Sequence, residues 1–415
     1  METLLLLSHL TIVLLFGILF AIIAKRLRIP HMLLLLISGI FLGNLIYNGK
    51  PLIIFPQIFT NSIGILALVL VVFDASSRFK WKQFDSLTHQ AAKISVSFLI
   101  LNILFLTILT TIVFDIQNVL LALIFSTLMA GTSADVVLSI FKNKSNKITN
   151  LLEVESILNT PITVLLPFMI LSVMQNIGIK EQMFVDLFSQ FIGIAQQVVT
   201  GIGAGVIMGL GIFKIMRKYY SQKLSPLILI TSTLLTYILA ENLKGNGVLA
   251  VTVLGLFFGN LYVKKKDILF EFSSTFGNSL MILVFVLVGL NIPLPFNDLK
   301  FFLGSLILFA MYVAIRSMAV YISTMNTDYS AKEKIFLTLN TSKGIAVAVI
   351  VFTLLSYNFS NNGNFAGLAF IELADAELIL NLSMIFMIYS LILSTVVNHF
   401  SKYFIQVEIL NKKND

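Results

Sequence analysis

Asp135, Glu155, Arg316 and Lys343 are ionisable, and all four fall inside apolar runs long enough to cross a bilayer. A charged group in hydrocarbon costs about 2.5–3.5 kcal/mol on insertion scales, so such groups mark ion or proton paths and pair with one another. Immediately before Asp135 the chain reads Gly131-Thr132-Ser133-Ala134, in which Gly, Thr and Ser are weaker helix formers than their apolar surroundings. Backbone that leaves the helix at that depth has to line a cavity or be buried in protein. A half-helix resuming near Ala134 would offer free N–H groups, which favour an anion at Asp135. One carboxylate beside the exposed carbonyls of residues 130–133 is an all-oxygen site suited to a hard cation.

The next apolar run supplies more oxygens. Glu155 and Asn159 form one i, i+4 pair, and Ser156 and Thr160 form a second on the neighbouring stripe. Pro161 lacks an N–H and so frees a carbonyl one turn back, near Ile157. These residues predict a monovalent-cation and proton site built from Asp135, Thr132, Ser133, Glu155, Ser156, Asn159 and Thr160. Asp135, Ser156 and Asn159 would hold the cation directly. Glu153 reads as an interfacial charge. Lys343 needs a partner, with Glu155 the first choice and Asp135 the second; Arg316 needs one as well, and Glu241 either supplies it or is exposed. Asp74 and Arg78 are spaced as an i, i+4 pair near a span end. His9, His31, His89 and His399 lack ligand spacing, and zero cysteines exclude thiolate metal sites. No nucleophile–base pair or phosphate loop stands out, so neither an enzyme nor a cofactor is expected.

The elements that position these residues are membrane spans. Hydrophobic residues make up 58% of the 415-residue chain and charged residues 12%, about half the charged share of a soluble protein. Apolar runs recur near 4–24, 31–48, 57–77, 93–114, 118–141, 150–174, 188–213, 225–242, 247–263, 276–292, 301–325, 334–357 and 378–400. The predicted fold is therefore an all-α polytopic membrane protein of about thirteen transmembrane helices, in one domain over 1–400 with a short tail at 401–415. Of 28 Lys and Arg residues, 22 fall in one alternate set of loops and four in the other, leaving Arg316 and Lys343 inside spans. The positive-inside rule puts the rich set in the cytoplasm, with the N-terminus outside and the C-terminus inside. The net charge of +8 thus follows topology and does not suggest nucleic acid. Spans 5 and 12 both carry small and polar residues at mid-depth, Gly131-Thr132-Ser133 and Asn340-Thr341-Ser342-Lys343-Gly344. Lying seven spans apart, they cross in opposite directions. Spans 1–6 and 8–13 are then inverted repeats joined by span 7, with two broken helices at matching places.

The order and spacing of several short stretches resemble the monovalent cation/proton antiporter family, of the sodium/proton exchanger type, over essentially the whole chain. They are Lys25-Arg26-Leu27-Arg28-Ile29-Pro30 with Ser38 to Gly43, Gly131-Thr132 through Phe141-Lys142, and Glu155-Ser156-Ile157-Leu158-Asn159. Gly247 to Val251 with Gly255 and Gly259-Asn260, Phe285 to Leu290, and Lys343-Gly344 complete the set. The resemblance implies Na⁺ or K⁺ exchanged for H⁺ by alternating access in the plasma membrane, by a protomer that is often dimeric. In it, spans 5 and 12 match two broken helices that cross near the ion site. Three departures stand out. The family's usual Thr-Asp-Pro is Thr132-Ser133-Ala134 here, its Asn-Asp is Asn159-Thr160, and the Arg often found before Gly344 is Lys343. The expectation is relocation, with Asp135 replacing the lost carboxylate and Thr160 supplying a neutral ligand. The rival readings are an uncoupled cation channel or uniporter, a transporter of another solute, or a sensor or scaffold that transports nothing.

Overall fold

The computed structural model describes residues 2–27, 29–47, 49–79, 86–134, 136–137, 146–177, 183–218, 224–261, 266–291, 294–356 and 373–405. Among them the chain is almost entirely helical, and helices occupy every one of the apolar segments above. Seven are long and apolar enough to cross a membrane, and further apolar helices such as His31–Gly43 and Gly247–Asn260 are shorter. This is an integral membrane protein.

Three boundaries differ from expectation. The second segment is helical only over His31–Gly43 and then turns into a two-residue hairpin, Ile46–Tyr47 paired antiparallel with Lys50–Pro51. Gly49 at φ +75° makes that turn, a conformation open to glycine because it has no Cβ. The fourth segment starts earlier, at Ser86, and contains one π-turn over Asn102–Leu106 before continuing as Thr107–Phe114. The sixth is a single unbroken helix, Lys147–Ile177, despite Pro161.

Both expected breaks are present. One half-helix, α6 (Val119–Ala130), is capped at its start by Asn118, whose side chain accepts from Leu120 N–H, and stops at Gly131 in an extended conformation. Residues 131–134 are non-helical, and Val136 and Val137 are helical again. In the other segment, α13 (Ala331–Leu339) starts with a Ser330–Glu333 capping box. Asn340 to Gly344 are then unwound, and α14 (Ile345–Ser356) follows.

Packing is closest where glycines let backbones meet. A Cβ on Gly39 would lie 2.2 Å from the Val286 carbonyl oxygen, and one on Gly289 2.4 Å from that of Leu36. These two glycines weld His31–Gly43 to the helix Lys266–Asn291. Gly255 and Gly259 likewise approach the carbonyls of Phe73 and Ser77. In lipid, where apolar burial gives little drive between helices, such close contact is the main source of adhesion.

Candidate functional site

The two unwound stretches cross and bond to each other. Ser133 N–H donates to the Ser342 carbonyl at 2.8 Å, and Ser342 Oγ donates to the Ser133 carbonyl at 2.7 Å. Each break thereby satisfies part of the backbone the other leaves open, as a low-dielectric interior requires. Lys343 satisfies two further carbonyls. Its Nζ, fully buried, donates to the carbonyls of Met129 at 2.6 Å and Gly131 at 2.7 Å, and to Tyr312 Oη at 2.6 Å. A cation on the last carbonyls of α6 also opposes the negative end of that helix.

The expected Lys343–Glu155 pair does not form. Arg316 takes the carboxylate, Nη1 to Oε1 at 2.6 Å and Nη2 to Oε2 at 2.8 Å, with both side chains fully buried. The guanidinium also lies 4.7 Å from the centre of the Phe98 ring. The physical reason is shape: the planar fork of Arg matches two carboxylate oxygens, while a Lys ammonium is a point donor that suits converging carbonyls. Nor does Glu241 pair with Arg316; its Oε1 accepts from Gly247 N–H at 2.8 Å. The i, i+4 pair Asp74–Arg78 is present, Nη2 to Oδ2 at 2.8 Å.

Glu155 connects onward. Thr132 Oγ1 lies 3.5 Å from Glu155 Oε1 and accepts from Asn159 Nδ2 at 2.6 Å. Asn159 Oδ1 is buried and has no hydrogen-bond partner among the described residues. Beside this chain lies a cavity of about 510 Å³. Thr132, Ser133, Ser156 and Thr160 line it, as do Gly131, Ala134 and Gly344 of the two breaks. Glu155 and Asn159 are both buried and lie behind that wall. Thr160 Oγ1 donates to the Ser156 carbonyl at 2.7 Å, which leaves its oxygen lone pairs available to a ligand.

The structure thus brings together Thr132, Ser133, Glu155, Ser156, Asn159, Thr160, Arg316 and Lys343. Asp135 lies outside the described residues. Three contributors lie outside the predicted site: Tyr312, Ser342, which the sequence marked only as part of the break in span 12, and Glu153, read as an interfacial charge but on the cavity wall. Tyr312 had a usable signal, a polar residue four before Arg316 and so on the same face of its helix.

Two crossing, interrupted helices with a cavity at the crossing that polar and apolar residues line together define a membrane protein of the discontinuous-helix type, in which such breaks form the binding site. The chain belongs to the sodium/hydrogen exchanger transmembrane family, whose model matches residues 10–399. Among curated proteins it is similar to the probable Na⁺/H⁺ antiporter 2 of Methanocaldococcus jannaschii, at 25% identity over 84% of each chain. It is also similar to the K⁺/H⁺ antiporter NhaP2 of Shewanella oneidensis, at 24% identity over 82% of this chain and 59% of that protein. Among solved structures it resembles the sodium proton antiporter MjNhaP1 of M. jannaschii, with a TM-score of 0.76 at 19% identity, covering 96% of this chain and 98% of that one.

Proposed function

We propose that this chain is a secondary antiporter that exchanges Na⁺ or K⁺ for H⁺ by alternating access, and is not an enzyme. The observation that carries the reading is the cavity of about 510 Å³ reaching the unwound backbone of both broken helices. The names of the relatives, Na⁺/H⁺ and K⁺/H⁺ antiporters, support the same class of substrate.

In this reading a cation meets the oxygens of Ser156 and Thr160 and the backbone of residues 131–134. Asp135 alternates between cation-bound and protonated states, replacing the carboxylate that Thr160 lacks. Asn159 Oδ1, a buried acceptor without a protein partner, is available as a further ligand, since leaving it unpaired costs about 1–3 kcal/mol. Glu155 and Arg316 act as the strut behind the site. The protomers pair as homodimers in the plasma membrane, with the N-terminus outside and the C-terminus inside, and the spans form two inverted repeats. Exchange follows from competition: a site with one free carboxylate holds a cation or a proton but not both.

The runner-up is an uncoupled cation uniporter on the same scaffold, favoured by one observation, the neutral Thr160 on the cavity wall. Purified protein in proteoliposomes separates the two. A Na⁺ or K⁺ gradient drives H⁺ the opposite way in an antiporter, whereas a uniporter passes the cation without H⁺ counterflow.

A further inference from the structure

The helix Lys147–Ile177 sends its acids into two different environments. Glu155 faces Arg316, and Asn159, on the same stripe, faces Thr132. Glu153, Ser156, Ile157 and Thr160 line the cavity, a spacing of i, i+3, i+4 and i+7 that describes one helix face. Glu153 and Glu155 are neighbours but one in sequence, so they point about 200° apart around the helix. One acid is dry and neutralised; the other faces the cavity.

The ionisable residues that line this cavity, among those described, are His31, Asp74, Arg78 and Glu153. Asp74 and Arg78 form an ion pair. Among the described residues Glu153 has no hydrogen-bond or ion-pair partner. Deeper in, Thr132, Ser133, Ser156 and Thr160 offer only neutral oxygens. A monovalent cation that sheds hydration against such a wall needs negative charge within Coulomb reach. Glu153 is one helical turn before Ser156 and about 10 Å along the helix from Thr160.

We propose that Glu153 is the cation-collecting carboxylate of the cavity, forming with Ser156 the first binding point of a monovalent cation on its way to the unwound backbone of residues 131–134. The proposal rests on the antiport reading and gives Glu153 a collecting role separate from the exchange of cation and proton assigned to Asp135.

Glu153→Gln and Glu153→Asp are tested in proteoliposomes for apparent KM and maximal rate with Na⁺ and with K⁺. The cation dependence of the thermal unfolding midpoint is measured in detergent at the same pH. Glu153→Gln is expected to raise KM about tenfold, or about 1.4 kcal/mol, with the maximal rate within about twofold. Its midpoint titration shifts to about tenfold higher cation, because binding stabilises by mass action. Glu153→Asp falls between it and the parent. A parental KM and parental midpoint titration in Glu153→Gln overturn the proposal, as does a loss of rate at unchanged KM. Failure of both Glu153→Gln and Glu153→Asp to yield monodisperse protein also overturns it, since the residue would then serve the fold and not the cation. If the parent itself shows no exchange, the antiport reading fails, and the midpoint titration still decides whether Glu153 binds the cation.

Discussion

Arg316 holds both oxygens of Glu155 in a fully buried, two-pronged ion pair, at 2.6 and 2.8 Å. Helices far apart in the sequence, Lys147–Ile177 and Leu299–Ser323, are fastened by it directly behind the cavity. A buried pair of this kind contributes little relative to a well-packed apolar pair, but removing one partner strands a charge and costs about 3–5 kcal/mol. Glu155→Gln and Arg316→Met are each expected to lower the thermal midpoint in detergent sharply. The double variant is expected to be more stable than the sum of the two losses implies. Strict additivity in that cycle would show that the pair carries no coupling.

Lys343 presents a different arithmetic. Its ammonium serves Met129, Gly131 and Tyr312 at 2.6–2.7 Å, and among the described residues no carboxylate joins that set. Lys343→Met leaves two buried carbonyls at the end of α6 without a donor. The expected loss is on the order of 3 kcal/mol, from hydrogen bonds to a charged group at about 1.5–3 kcal/mol each less partial relaxation, read as a fall in thermal midpoint. Tyr312→Phe removes one of the three contacts and is expected to cost about 1 kcal/mol.

Gly289 tests the packing. An added methyl would meet the Leu36 carbonyl oxygen at 2.4 Å and Ile40 N at 2.8 Å, backbone atoms that cannot rotate aside. Gly289→Ala is expected to cost about 1–3 kcal/mol by overpacking, while Gly277→Ala, where nothing lies within 4 Å, stays within about 0.5 kcal/mol of the parent. Equal thermal midpoints for the two variants would contradict the contact.

Thr160 faces the cavity, at the position where the resemblance to the exchanger family implies an acid. Thr160→Asp introduces a charge among neutral oxygens, and in that setting Coulomb attraction outweighs the loss of one hydroxyl. The apparent KM for Na⁺ or K⁺ is expected to fall about tenfold in proteoliposome flux. An unchanged or higher KM would show that the cation does not pass residue 160.

Much of this was legible in the sequence because the bilayer simplifies the problem. Apolar length alone locates the helices, and Gly131-Thr132-Ser133 and Asn340 to Gly344 mark the breaks because each joins glycine to a run of polar residues at mid-span, whereas lone glycines such as Gly39 and Gly289 serve close packing. The pairing of charges was harder to read. Glu155, Arg316 and Lys343 lie on three spans whose rotation and adjacency are not written in any one of them. Donor shape was the usable clue: a forked cation goes to a carboxylate, and a point cation goes to carbonyls. Glu153 and Glu155 illustrate a second limit. Two acids two positions apart differ only in the side of the helix they occupy, and which side faces the cavity depends on neighbours such as Thr132 and Ala346 that line it from distant parts of the chain.

The most direct measurement is H⁺ movement in proteoliposomes driven by an imposed Na⁺ or K⁺ gradient, for the parent and for Asp135→Asn. Antiport at this cavity predicts H⁺ flux opposite to the cation gradient in the parent and its loss in the variant. Cation flux without H⁺ counterflow, or undiminished exchange in Asp135→Asn, would contradict it.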